Sequence, residues 1–200
     1  MFVLDEIGVK RSLKRIAHEI LEANNGASNI VLVGIVTRGD LLAAQLAAYI
    51  EEIEGAHVPV GRLDISFYRD DIANYAPIVH KSEIPFNLEN KTVILVDDIL
   101  YTGRTIRSAL DALRDFGRPA CVQLAVLIDR GHRELPIRPD YVGKNIPSTR
   151  TQNVRFFYEP LDGKTCVEIS EQDGCEHVGS APVKDFHALD VAFNNALLSR

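Results

Sequence analysis

Val-Ile-Leu-Val-Asp-Asp-Ile-Leu-Tyr-Thr-Gly-Arg-Thr, residues 93–105, is the stretch on which the reading of this 200-residue chain turns. Four apolar residues follow Thr92 without alternation, the pattern of a strand covered on both faces. Two adjacent carboxylates, Asp97 and Asp98, open a loop read as 97–103, and a helix is predicted over 105–116, stopped by Gly117 and Pro119. In open α/β sheets ligands bind outside the carboxyl ends of the strands, which is where this loop falls. Thr102-Gly103-Arg104-Thr105 offers backbone N–H groups, two hydroxyls and a guanidinium at a helix N-terminus, a nest for a phosphate that the helix dipole favours. Gly103 permits close backbone approach. Strand side chains alternate, so the chain must already be turning at the acidic pair if both carboxylates are to meet one ligand. Taken alone, the pair could equally cap a turn. With the nest behind it, the pattern points to a phosphorylated sugar whose vicinal hydroxyls meet the carboxylates.

The same grammar recurs upstream. Apolar residues at Val9, Leu13, Ile16, Ala17, Ile20 and Leu21 predict a helix over 5–24 that ends at Asn25-Gly26. Ile30–Ile35 reads as a buried strand running into the tight turn Thr37-Arg38-Gly39-Asp40, and an Ala/Leu-rich helix over 41–54 closes at Gly55. Residues 58–68 alternate and predict a further strand, 69–83 lacks periodicity and reads as a loop, and 121–128 is another apolar strand. Strands alternating with helices of about a dozen residues imply a parallel sheet with helices on both faces. After Asp129 the texture changes. Pro136, Pro139 and Pro147 interrupt the chain around a short strand at 141–143, and 154–158 and 164–169 pair as a hairpin about Leu161-Asp-Gly163. Residues 174–182 read as a linker, and Phe186, Leu189, Phe193 and Leu197 mark one face of a terminal helix. The predicted division is a main domain over 1–170 and an extension over 171–200.

Composition excludes several classes. With 46% hydrophobic and 25% charged residues the chain can bury a full core. It contains no apolar run of about 18 residues and no basic-then-apolar leader, so neither a membrane span nor a secretory signal is expected. Cys121, Cys166 and Cys175 are odd in number and form no C-x-x-C, which suits free thiols in a reducing cytoplasm. Cys166, Cys175, His177 and His187 match no common zinc spacing. The net charge is −6, yet residues 129–155 carry six basic and three acidic residues, whereas 156–200 carry three basic and eight acidic. A local basic surface is therefore compatible with an acidic whole.

Asp97-Asp98-Ile-Leu-Tyr-Thr-Gly-Arg-Thr105 resembles the phosphoribosyl diphosphate signature of the type I phosphoribosyltransferases. Asp129-Arg-Gly-His-Arg-Glu-Leu-Pro-Ile-Arg-Pro-Asp-Tyr-Val-Gly-Lys-Asn-Ile-Pro147, with Lys14–Ile20 and Tyr68–Asp71, is similar to the pyrimidine operon regulator/uracil phosphoribosyltransferase family, PyrR. The likeness spans about residues 4–150. It implies a type I phosphoribosyltransferase fold: an α/β protein with a central, mostly parallel sheet flanked by helices, a small hood and, here, a C-terminal extension helix. It implies transfer of a phosphoribosyl group from 5-phosphoribosyl diphosphate to uracil with Mg²⁺, giving UMP, and UMP-dependent binding of a leader-mRNA stem-loop by a homodimer or higher homo-oligomer. Asp97 and Asp98 would be catalytic and approach Mg²⁺ through the substrate. Tyr101, Thr102, Gly103, Arg104 and Thr105 would hold the 5-phosphate, and Thr37, Arg38, Gly39 and Arg69 the diphosphate. Asp129, Arg130, Tyr141 and Val142 would form the base site; Tyr141 is read equally well as buried core. His18, Arg133, Arg138 and Lys144 would meet RNA. Two alternatives stay open: a transferase for another base with no RNA role, and a UMP-sensing RNA-binding regulator with negligible turnover. Two departures from the family stand out, a loop over 71–82 that is shorter and a region after about Thr149 in which Ser170 to Arg200 is added.

Overall fold

The computed structural model describes residues 1–68, 81–171 and 186–198; Arg69, the 174–182 linker, Cys175 and His177 lie outside the described residues, as does the side chain of His187. Strand β1 (Phe2–Leu4) leads into helix α1 (Glu6–Asn24). The Asp5 side chain caps α1 by accepting from Gly8 N at 2.8 Å, and Asn25 ends it in the left-handed conformation. The predicted stripe faces inward: Val9, Leu13, Ile16, Ala17, Ile20 and Leu21 are all buried. Strand β2 (Ile30–Ile35) is buried throughout and is followed by α2 (Gly39–Glu54), closed by Gly55 at positive φ.

Strand β3 (Val60–Leu63) is shorter than the predicted 58–68. It pairs in parallel with β2 and bridges Glu83 at Arg62, and its last residue, Leu63, lies opposite the last residue of β2, Ile35. Beyond that point Ile65 still turns into the core while Phe67 is exposed. Strand β4 (Thr92–Leu100) is longer than predicted and contains Asp97 and Asp98, because β5 (Cys121–Asp129) continues alongside it to Leu100↔Asp129. Between them lies α3 (Arg104–Leu113), extended by a 3-10 turn at Arg114–Phe116. Strand β6 (Tyr141–Asn145) completes a five-stranded, all-parallel sheet in the order β3-β2-β4-β5-β6.

One core packs α1 and α2 against Ile94, Val96, Ala125 and Leu127; the other packs α3 and residues 84–88 against Val93, Leu95, Leu124 and Val126. The hairpin appears as β7 (Gln152–Phe157) and β8 (Cys166–Glu171), antiparallel, with one turn of helix, α4 (Glu159–Asp162), at its tip. β1 adds antiparallel to β8, making a three-stranded hood. Helix α5 (Phe186–Leu198) buries Ala192 and Phe193 against Leu41 of α2. Among the described residues, no helix is long and apolar enough to cross a membrane.

Candidate active site

Two strand-to-helix turns and one loop meet at the carboxyl end of the sheet. On β4, Ile94 and Val96 pack into one core and Val93 and Leu95 into the other; beyond the acidic pair the order is reversed, with Ile99 in the first core and Leu100 in the second. Asp97 and Asp98 thus occupy the place where the strand's alternation slips by one. The pairing with β5 passes from Asp97↔Val126 to Ile99↔Ile128. Two amides there are satisfied by carboxylates: Asp98 N donates to Asp97 Oδ1 at 2.9 Å and Ile99 N to Asp98 Oδ1 at 2.7 Å. Both acids are buried. Burial pushes the Asp98 carboxyl up from its ordinary range, and the charge of Arg38 draws it partly back.

The turn between β4 and α3 is more open. Tyr101, Thr102 and Thr105 are partly exposed, Arg104 is exposed, and Gly103 sits at φ 95 as the N-cap of α3. Thr102 Oγ1 accepts from Arg104 N at 3.3 Å. The segment after β5 folds over this turn: Glu134 N and Leu135 N donate to the Thr102 carbonyl, and Leu135 and Ile137 leave little room above Gly103. Arg133 ties the two together. Its guanidinium donates to Asp129 Oδ2 at 2.5 Å, to the Tyr101 carbonyl at 2.8 Å and to the Ile137 carbonyl at 2.9 Å.

The turn between β2 and α2 is closed. Gly34 has no room for a side chain, since an added Cβ would lie 2.3 Å from Asp40 Cα, and at Gly39 it would lie 2.5 Å from the Val96 carbonyl oxygen. The glycines therefore let this turn press against the end of β4. Thr37 is partly exposed. Arg38 adopts φ 71, unusual for a residue with a side chain. Its guanidinium turns inward rather than towards a ligand: it is 2% exposed and grips Asp162 of α4, with Nη2 2.9 Å from Oδ1. The cationic side chain expected at the diphosphate is thus engaged by a carboxylate 124 residues away in sequence, while its Nη1 makes no hydrogen bond among the described residues; the turn also presents its backbone and Thr37.

The base-site expectation also changes. Arg130 is buried, with Nε donating to Ser148 Oγ and Nη2 to the carbonyls of Thr149 and Gln152 at 3.0 and 2.7 Å, and it covers the Tyr101 ring at 4.1 Å. It fastens the hood to the end of β5. Asp129 accepts from Gly131 N and Arg133. Tyr141 is core: it pairs with Ala125, four residues before Asp129, roughly 13 Å from the carboxyl end of the strands. Its hydroxyl is bonded to Gln123 and Asn24. Val142 packs against the α3-side core and its carbonyl accepts from Arg15.

Of the four RNA candidates, Arg133 is spent inside the fold, whereas His18, Arg138 and Lys144 are exposed. Helix α1 runs antiparallel beside β6, with Asn24 at Tyr141, Arg15 at the carbonyls of Val142 and Gly143, and Lys144 Nζ 3.0 Å from the Val3 carbonyl. Sequence reasoning missed Asp162, Ser148 and Arg62 as parts of the site's frame, and no local pattern announces them.

A family model described as the phosphoribosyl transferase domain matches residues 3–160. A protein of Alkaliphilus metalliredigens named Bifunctional protein PyrR is 60% identical over 84% of this chain and 94% of its own length. Another of the same name from Geobacter sulfurreducens is 56% identical over 84% of this chain and 97% of its own. The chain belongs to the PyrR family. Its fold is that of the phosphoribosyltransferases: hypoxanthine phosphoribosyltransferase of Trypanosoma cruzi in complex with the product IMP superposes with a TM-score of 0.64 at 20% identity, covering 85% of this chain and 89% of that one. As a PyrR-family phosphoribosyltransferase, the chain places its acidic pair and both turns at the end of the sheet where such folds take their ligands.

Proposed function

We propose that the chain transfers the 5-phosphoribosyl group of 5-phosphoribosyl diphosphate to N1 of uracil, forming UMP and diphosphate, and that its UMP-bound form binds a leader-mRNA stem-loop to regulate pyrimidine genes. The observation that carries the catalytic part is the slipped alternation at Asp97–Asp98 directly before the Thr102–Thr105 turn. Two carboxylates at one strand end meet ribose hydroxyls while Thr102, Gly103, Arg104 and Thr105 take the 5-phosphate at the start of α3. The C1–oxygen bond to the diphosphate breaks, the C1–N1 bond forms, and the N1 proton leaves. Cleavage at an anomeric carbon passes through an oxocarbenium-like state, which the buried Asp98 stabilises as a carboxylate. Thr37, Gly39 and the backbone of Arg38 take the diphosphate, with Arg69 assigned to the same group. Arg130 shapes the base side by holding the hood, and Asp129 does so by fixing Arg133.

Mg²⁺ fits this donor set. Among the described residues no three or more His, Cys, Asp or Glu converge into a cage, and two carboxylates beside a phosphate cradle suit an ion shared with substrate oxygens. Asp97 and Asp98 would hold it with the donor. When bound, it neutralises charge on the leaving diphosphate.

For RNA, His18 on α1, Lys144 on β6 and Arg138 in the segment before β6 supply exposed cationic and polar groups, with Arg11 two helical turns before His18 on the same face of α1. The working form is a cytoplasmic homo-oligomer, with residues 1–170 as the transferase unit and 171–200 as an extension. Incubating the chain with the donor, Mg²⁺ and each base in turn should yield UMP and no other nucleotide at a comparable rate; another product sinks the uracil assignment. Asp98→Asn should slow UMP formation by about 10³-fold with an unchanged circular dichroism spectrum, and near-wild-type turnover would rule out its role. UMP should strengthen leader-RNA binding, and salt should weaken it steeply. No binding at low salt would leave an enzyme without the regulatory half.

A further inference from the structure

Behind the β2–α2 turn lies a second set of charges that the transfer reaction does not use. Asp40, in the first turn of α2, is fully buried; its Oδ1 accepts from Leu41 N at 3.0 Å. Its Oδ2 stands 3.3 Å from Arg62 Nη2 of β3, yet Oδ2, Arg62 Nη2 and Arg62 Nε make no hydrogen bond among the described residues. The guanidinium is drawn the other way. Arg62 Nη1 donates to Asp190 Oδ1 of α5 at 2.5 Å, and the group lies over the Phe193 ring at 4.9 Å. Phe193 and Ala192 bury against Leu41, the residue after Asp40, and Tyr158, Leu161 and Leu197 close the cluster. Tyr158 and Leu161 flank and belong to α4, whose Asp162 grips Arg38.

We propose that α5 is a brace for the diphosphate turn, in which Asp190 and Phe193 are positioning residues that fix Arg62 and Leu41 and thereby the first turn of α2. This rests on the assignment of Thr37–Gly39 to the diphosphate. The turn needs such support. Arg38 at φ 71 is a non-glycine conformation that persists where the surroundings determine it. Two arms do so here, Asp162 on Arg38 itself and the Asp190–Arg62 contact with the Phe193–Leu41 packing on the residues that follow. Neither Asp190 nor Phe193 touches the acidic pair or the 5-phosphate turn in any contact described, so their effect should fall on donor affinity rather than on the chemical step.

The test uses the full chain and four forms: wild type, Asp190→Asn, Asp190→Glu and Phe193→Ala. KM for the donor, KM for uracil and kcat are measured, together with calorimetric binding of inorganic pyrophosphate with Mg²⁺. Asp190, 60% exposed at its side chain, should matter less than the buried ring. Asp190→Asn should raise the donor KM about threefold and Phe193→Ala about tenfold, with uracil KM and kcat within about twofold. Pyrophosphate binding should weaken by the same factors, and Asp190→Glu should behave as wild type. Wild-type pyrophosphate binding that neither Asp190→Asn nor Phe193→Ala weakens overturns the brace alone. Equal losses in uracil KM and donor KM do the same, because they mean general loosening. Absence of saturable pyrophosphate binding by the wild type overturns the assignment of the turn, and the brace with it.

Discussion

The two strand-to-helix turns at the mouth of the sheet, assigned above to the 5-phosphate and the diphosphate, are held in place in opposite ways. The turn after β4 keeps its side chains partly in water and is held from above, through the Thr102 carbonyl and the reach of Arg133. The turn after β2 is held from below, by the buried guanidinium of Arg38, by Asp40, and by two glycines that admit no Cβ. The difference teaches that a cationic residue in a ligand loop need not point at the ligand. In a dry site its charge can be used up in fixing backbone geometry, provided a carboxylate waits there, because an unpaired buried charge would be too costly.

Three substitutions break or sharpen that contrast. The largest effect is expected at Gly39→Ala. The added methyl collides with the Val96 carbonyl at 2.5 Å, so β2, α2 and β4 cannot keep their spacing, and urea denaturation should show a loss of about 4 kcal/mol. A loss under about 1 kcal/mol would mean that the closed turn is far softer than its packing implies.

Asp40→Asn probes the charge below the same turn. Burial raises the Asp40 carboxyl to about 6, with Arg62 lowering it and Asp190 raising it. A folded-state value above the unfolded one means that the native protein holds the proton longer, so wild-type stability from this group is full below about pH 4 and falls as pH rises through 6. The variant has no such titration. The stability difference should therefore move in favour of Asn by about 3 kcal/mol at most between pH of about 4 and about 7. A pH-independent difference would show that Asp40 is ionised throughout.

The smallest effect belongs to the open turn. Arg104→Ala removes a solvent-exposed pair with Glu134, Nε 2.8 Å from Oε2, and should cost less than about 1 kcal/mol in stability. A larger cost would erase the contrast between the turns.

Much of this was legible in advance. Hydrophobic spacing located α1, and the unbroken apolar runs located β2, β4 and β5, because those patterns are imposed by local geometry and by burial on one or two faces. The turn at Thr102–Thr105 that starts α3 was readable for the same reason. The limits of β3 and β4 were not, since a strand lasts as long as its neighbour: Leu63 stops opposite Ile35, and Leu100 continues opposite Asp129. Tyr141 could be read equally as stacking platform or core, and its height on the sheet decided for core. The arginines were the hardest. Arg38, Arg130 and Arg133 stand in ligand-like surroundings in sequence, yet each donates to protein oxygens.

By itself, then, the sequence determined the alternation of strand and helix, the two turns and the acidic pair between them, because each of these is written within about a dozen consecutive residues. The tertiary structure alone decided which charges are paired within the fold. Arg38 meets Asp162 and Arg62 meets Asp190 across 124 and 128 residues, and no periodicity encodes a partner at that distance. Packing brings such charges together, and burial then makes their pairing obligatory.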